Sequence, residues 1–389
     1  MLSSPEVQVR AITLTHGNTS LQSCKRNIVT ILTAMQEQRA YLGREILRDE
    51  LPIVAVGCDK PLKRTPISAA YFHGQDGLGE IYDKGLYAAP PDWESQLLHR
   101  AGEIMDEKFQ DIVDGGSNKP VFQTTERDAA DEILHQLNIA PPLTVTILAV
   151  GPLSNIASAY QRDPATFSRA KRVVIMGGAV DAPGNVTPTA EFNFCADPDA
   201  ADIVMGASKG FRHTPEGKKH RLELIEKGEI APVHVVIFPL DSSDDGIVTE
   251  KNYRETILPL NGKTPLGTFC CAFLKWAYEV SKKLFGIDSL SVYDAFTGLL
   301  VIDMASDSGD GQNSDPEFDK HWQSRYLDLR VETRGKYTLG MCVYDKRDRS
   351  HTESAWDDEP NNVQVIDRAN GPRFTKILLD RIFGASDTN

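Results

Sequence analysis

No run in this 389-residue chain approaches the roughly 20 consecutive apolar residues that a membrane-spanning helix needs. The N-terminus has no basic segment followed by an apolar core, so no secretory leader is expected. Positive charge is in deficit: 42 lysines and arginines stand against 55 aspartates and glutamates, a formal net charge of -13. That balance argues against nucleic acid or an anionic membrane as partner, and leaves room for a cation or a neutral substrate. Cysteine is sparse. Its six residues (24, 58, 195, 270, 271 and 342) show no CxxC spacing, which implies reduced thiols and a cytoplasmic setting. Internal repeats are absent.

What is present is ordinary globular material, 41% hydrophobic and 25% charged, enough for one large domain or two ordinary ones. Strand-like runs alternate with helical ones. Residues 9–15 read as a β-branched strand, followed by a helical stretch over 22–39. Residues 52–57 form a short apolar strand, and 93–113 and 126–137 have the spacing of amphipathic helices. The run 145–150 is nearly all apolar, as suits a parallel strand covered on both faces. Gly151-Pro152 then turns into a helix over 153–161. Residues 172–176 are a second buried strand, and 233–240 repeat the pattern. This alternation predicts an α/β fold with an open, mostly parallel sheet and helices on both faces.

Further on, 326–331, 341–345 and 362–367 read as strands or extended arms, and 373–383 as a closing helix. Two segments stand apart. Residues 211–227 are polar and basic and are expected as an exposed insertion. Residues 306–318 are acidic and poor in apolar groups, so a disordered loop is expected; Asp307, Asp310 and Asp315 do not have calcium-loop spacing.

In open parallel sheets, ligands bind beyond the carboxyl ends of the strands. The first strand is followed by His16-Gly17-Asn18, and the second run by "YFHGQDGLG", with His73 and Asp76 among three glycines. Gly151 follows Val150. Gly177-Gly178 follow Met176 and lead into "GNVTPTAEFNFCADPDAA". Asp241 follows Leu240, and "SLSVYDAFTGLL" sets Tyr293 and Asp294 ahead of an apolar helix.

This order of segments closely resembles the inosine-uridine nucleoside N-ribohydrolases, through "SPEVQVRAITLTHGN", "HGQDGLG", "VGPLSNIA", "RVVIMGGAV", "PGNVTPTAEFN", "DPDAA" and "VYDAF". The resemblance implies one Rossmann-like domain over 1–389 that hydrolyses the N-glycosidic bond of ribonucleosides, in purine and pyrimidine salvage, and that forms homo-oligomers. It further implies a bound Ca²⁺ that holds the ribose diol and the attacking water, an Asp that deprotonates the water, and an oxocarbenium-like transition state. Carried over by position, Asn18, Met176, Asn185, Glu191 and Asn193 would contact ribose, and His73 the base. Asp294 and the Val150 carbonyl would ligate the metal. Each has a plainer reading too: a turn asparagine, a core methionine, a loop acid, a structural histidine.

Tyr293 departs from the family, which often has His there to protonate the leaving base; a phenol is the weaker acid. Trp276 and Tyr278 are candidates either for base stacking or for the core. Asp244-Asp245 reads as a cap or polar turn rather than a metal site. No DxDxGxDD segment occurs in the chain, although in the family it ends the first strand and supplies the catalytic Asp and most metal carboxylates. The expectation is therefore a member lacking that strand and segment, impaired in catalysis and marginal in folding. The alternative is a non-catalytic ribose- or nucleoside-binding remnant of the same fold.

Overall fold

The computed structural model describes residues 1–44, 51–98, 121–306, 316–347 and 360–384. β1 (Ala11–Leu14) pairs in parallel with β2 (Ile53–Val56), and β3 (Gln123–Thr124) joins the far side of β2. The crossover from β1 to β2 runs through α1 (Leu21–Tyr41), whose N-cap Ser20 accepts the Ser23 amide. α2 (Ala70–His73) and α3 (Ala129–Ile139) follow, the latter capped by Asp128. A second parallel run begins with β4 (Thr146–Ala149), α4 (Ser154–Arg162) and β5 (Arg172–Met176). It continues through α5 (Phe192–Ala196), α6 (Pro198–Gly206), α7 (Pro215–Glu226) and β6 (Val235–Phe238).

The core is built on β5 and β6. Alternate residues point to opposite faces. Val173, Ile175, Val235 and Ile237 pack with Leu137, Leu153, Val204 and Met205 from α3, the turn before α4, and α6. Val174, Val236 and Phe238 pack on the other face with Phe296, Leu300 and Phe374. Phe296 and Leu300 belong to α9 (Tyr293–Ser306) and Phe374 to α10 (Gly371–Phe383). The apolar runs are thus buried on both sides, as a central parallel strand requires.

Between these layers, β7 (Ile247–Thr249) and β8 (Ser289–Ser291) form a small antiparallel pair bridged by α8 (Pro265–Phe285). β9 (Trp322–Leu327), the β10–β11 pair (Arg330–Val331, Cys342–Val343) and β12 (Val363–Ala369) complete the strands; β12 lies parallel to β6 and antiparallel to β9.

The ladder is divided. One sheet has the order β1-β2-β3 and the other β4-β5-β6-β12-β9, and no strand pairing joins them among the described residues. β1 and β4 are the edges on either side of the division. In each, only the last residue is buried, whereas β6 is buried throughout. Side chains bridge the division instead. The Asn155 amide donates to the Leu14 carbonyl at 2.9 Å, and its Oδ1 accepts the Cys58 amide at 2.9 Å. Gly57 is required beside it, because a Cβ there would lie 2.2 Å from Asn155 Oδ1.

Three expectations need adjustment. Segment 211–227 is not simply exposed. It holds α7, and Phe211, Arg221 and Ile225 are buried, with Arg221 donating to the carbonyls of Ser168 and Ala170. The helix expected over 93–113 is described only as the short turn Trp93–Gln96, and 99–113 lie outside the described residues. So do 307–315 of the acidic stretch.

Replacing Asn155 by Ala should strand two buried backbone groups and cost about 2–5 kcal/mol. Urea denaturation should reveal this as a lower midpoint, while Gln161→Ala, at an exposed position of the same helix, leaves the midpoint nearly unchanged.

Candidate active site

The expected site residues gather at the carboxyl ends of the strands, in two groups. On the side of the smaller sheet, Asn18 is exposed beyond β1, and its carbonyl accepts the Ala69 amide just ahead of α2. α2 ends in His73, which packs edge-to-face on Phe72 with ring centroids 5.0 Å apart. The glycine loop that follows is wound around Asp76, whose Oδ1 accepts the amides of Leu78 and Glu80 at 2.8 and 2.7 Å. Gly79 has φ +77°, and a Cβ there would collide with Trp276 at 2.6 Å. Burial pushes His73 down to about 4, so its ring is neutral at physiological pH.

On the side of the larger sheet, Met176 ends β5 and is buried against Ala179 and Leu240, with Tyr293 beside them. Asn193 donates to the Met176 carbonyl at 3.1 Å. Glu191 is the N-cap of α5: its carboxylate accepts the amides of Asn193 at 2.8 Å, Phe194 at 3.1 Å and Gly178 at 3.0 Å. Burial raises its pKa, and the three amides oppose the rise. Asn185 is exposed, with its Oδ1 held by the Phe192 amide at 2.9 Å. Glu191 and Asn193 are thus engaged with backbone, and Asn185 through its Oδ1, an arrangement that fixes their orientation.

Asp294, in the first turn of α9, makes no hydrogen bond among the described residues. It lies deep among protein atoms, yet its side chain is open to solvent. Desolvation first, and the Glu191 charge second, push it up to about 7. Val150, 42% exposed, lies at the end of β4, where Gly17 approaches the Pro152 ring (a Cβ would be 3.1 Å away). Here the turn after β1 meets the turn after β4.

Beneath the site runs a buried relay. His16 Nε2 lies 3.1 Å from Ser154 Oγ, and Ser154 donates to Asp197 Oδ2 at 2.5 Å. Asp197 also accepts the Leu62 amide at 3.0 Å and caps α6 through Ala200. Burial lowers the His16 pKa, against the pull of Asp197.

Other candidates are committed elsewhere. Tyr293 donates its hydroxyl to Asp244 Oδ1 at 2.8 Å, and burial and that carboxylate raise its pKa. Trp276 donates to the Phe72 carbonyl at 2.9 Å beneath Gly79, and Tyr278 is buried with its hydroxyl on the carbonyls of Val248 and Thr249. Both rings are therefore packing elements rather than exposed stacking surfaces.

Sequence reasoning passed over the His16–Ser154–Asp197 relay, although "HGN", "GPLSN" and "DPDAA" each carried one member. No group of three or more His, Cys, Asp or Glu able to hold a metal occurs among the described residues. Ca²⁺ takes roughly six to eight oxygens. One carboxylate at Asp294 and one carbonyl at Val150 do not make such a cage, so the residues described do not by themselves fit a resident calcium ion.

The parallel strand order and the two covered faces define a Rossmann-like α/β fold. Its shape matches a plant nucleoside hydrolase at TM-score 0.67 and 20% identity, covering 98% of this chain and 92% of that one. A purine-preferring ribonucleoside hydrolase from Gardnerella vaginalis matches at the same TM-score, identity and coverage. The profile of the inosine-uridine preferring nucleoside hydrolases matches residues 1–376. The chain belongs to that family, whose members are hydrolases of N-glycosyl bonds.

A pyrimidine-specific ribonucleoside hydrolase of Salmonella paratyphi B is 32% identical over 348 residues, 88% of this chain and 82% of the relative. The inosine-uridine preferring nucleoside hydrolase of Crithidia fasciculata is 32% identical over 205 residues, 53% and 50% of the two chains. Uridine nucleosidase 1 of Arabidopsis thaliana is 31% identical over 237 residues, 59% and 56%. These last two are matched over only about half their length.

His73 should show no ring titration between about pH 5 and 8 by NMR. An unfolded His takes its proton near 6.5 and this one near 4. Its contribution to stability is therefore complete above about 6.5 and lost as pH falls toward 4. His73→Gln should flatten that part of the stability profile.

Proposed function

We propose that this chain carries the ribose- and base-binding half of a ribonucleoside N-ribohydrolase site, and that its own residues supply little of the water-activating half. The observation that supports this most is the convergence of Met176, Asn185, Glu191, Asn193, Tyr293 and Asp294 beyond β5 and β8, with Asn18 and His73 on the other side of the division. The carboxamides of Asn18 and Asn185 are exposed and suited to sugar hydroxyls. Glu191 and Asp294 place two acids where positive charge would develop on the ribosyl ring.

Neutral His73 offers an N–H to a heteroatom of the base. Tyr293 stands where a leaving-group donor would, but its proton is shared with Asp244, which makes it a poor general acid. Asp294 and Val150 are the oxygens this chain offers a calcium ion, and they bind it weakly. The same scarcity favours a second reading, a ribose- or nucleoside-binding protein without turnover. The six free cysteines support a reducing, cytoplasmic setting.

Two measurements test the reading. Base release followed by chromatography should be slower than in members with the water-activating Asp, by about 10²–10⁴, and should favour uridine over 2′-deoxyuridine by up to about 10⁴. Equal rates on the two nucleosides would contradict a ribose site. Calorimetry should find Ca²⁺ binding weaker than micromolar and abolished by Asp294→Asn; tight binding would mean that ligands have been missed.

A further inference from the structure

The loop from β5 to α5 carries Asn185 and Glu191, so its shape determines where those side chains stand. Its two ends are tied by residues of the loop itself, through Gly178 to Glu191 and Asn185 to Phe192. In its first half, three consecutive amides turn toward one carboxylate that the site assignments leave out. Asp241, just beyond β6, accepts the Val180 amide on Oδ2 at 2.9 Å. Its Oδ1 accepts the Asp181 and Ala182 amides at 2.7 and 3.0 Å. The neighbouring Leu240 amide donates to the Gly178 carbonyl at 3.0 Å, so β6 grips the loop from both polarities.

Successive amides converging on an anion form a concave nest, and charge-assisted bonds of this kind are about twice as strong as neutral ones. Ala182 meanwhile packs in the cluster of Met176, Ala179 and Leu240, with Tyr293 beside it. From outside, Asp181 is held by Arg325 and Lys346. These ion pairs are exposed and contribute little to loop geometry.

We propose that Asp241 is a positioning residue for ribose recognition: by holding the amides of Val180, Asp181 and Ala182, it sets the path of the loop that presents Asn185 and Glu191. This deepens, and rests on, the reading of the site as a ribose site. Asp241 itself is placed on the backbone and not on the sugar, so it acts through the loop. An Asn in its place keeps the size but turns one acceptor into a donor facing donors, and removes the charge.

The test uses the whole chain and pseudouridine, a ribonucleoside whose carbon–carbon link to the base resists hydrolysis. Asp241→Asn should weaken binding by at least about tenfold and speed amide exchange at 180–182. Asp181→Asn, which disturbs only the outward contacts with Arg325, Lys346 and the Tyr344 hydroxyl, should stay within about twofold of the wild type. In the wild-type protein the three amides should exchange more slowly than that of Asn185, which donates to no acceptor among the described residues. That comparison needs no variant, and rapid exchange there overturns the proposal even if Asp241→Asn fails to fold. Wild-type affinity and unchanged exchange in Asp241→Asn overturn it as well. No binding by the wild type overturns the ribose-site reading and this proposal with it, a result distinct from binding that Asp241 does not influence.

Discussion

The arrangement depends on side-chain hydrogen bonds doing what strand pairing does elsewhere. The two parallel sheets meet without a shared ladder, and Asn155 ties the end of β1 to the end of β2 from a helix that belongs to the other sheet. His16, Ser154 and Asp197 make a second tie a few residues away, with the Leu62 amide added to the same carboxylate. All four side chains are buried. In a low-dielectric interior such bonds are strong when complete and costly when one partner is missing. They also determine whether Asn18 and His73 face the residues that follow β5.

Chemistry at the cleft is shaped by what each side chain has already given up. Glu191 has spent both oxygens on backbone amides, so its charge is fixed in place rather than free to wander. Tyr293 has placed its proton with Asp244. Asp294 alone keeps an unshared carboxylate, and its raised pKa reflects burial and the nearby Glu191 charge. Side chains held in this way are fixed in orientation by their partners. Deprotonating water is a separate demand, and the described residues show no carboxylate cluster to meet it.

Much of this was legible in the chain. β5 and β6 announce themselves as unbroken apolar runs, because strands covered on both faces have no polar side to display. The turns after β1 and β5 mark strand ends, and the glycine loop marks the end of α2. Other features were hidden because their partners are remote in sequence. Tyr293 and Asp244 are 49 residues apart, and nothing local marks a hydroxyl for a distant carboxylate. Glu191 looks like a loop acid until the short helix behind it is seen to need a cap. Trp276 reads as a stacking candidate until Gly79 is found to leave room for nothing but its ring. Segment 211–227 looked exposed because it is polar and basic, yet Arg221 is buried among carbonyl acceptors.

The divided ladder has a consequence for how the molecule breathes. Cooperativity in a sheet normally spreads through its hydrogen-bond rows, and here those rows stop at β1 and β4. The block of β1, β2 and β3 can then open as its own foldon, releasing the side-chain ties, the packing of α3 on β1 and the packing of α1 on α8, while β5 and β6 stay closed. Asn18 and His73 ride on one block and the loop after β5 on the other, so such an opening changes the separation between them.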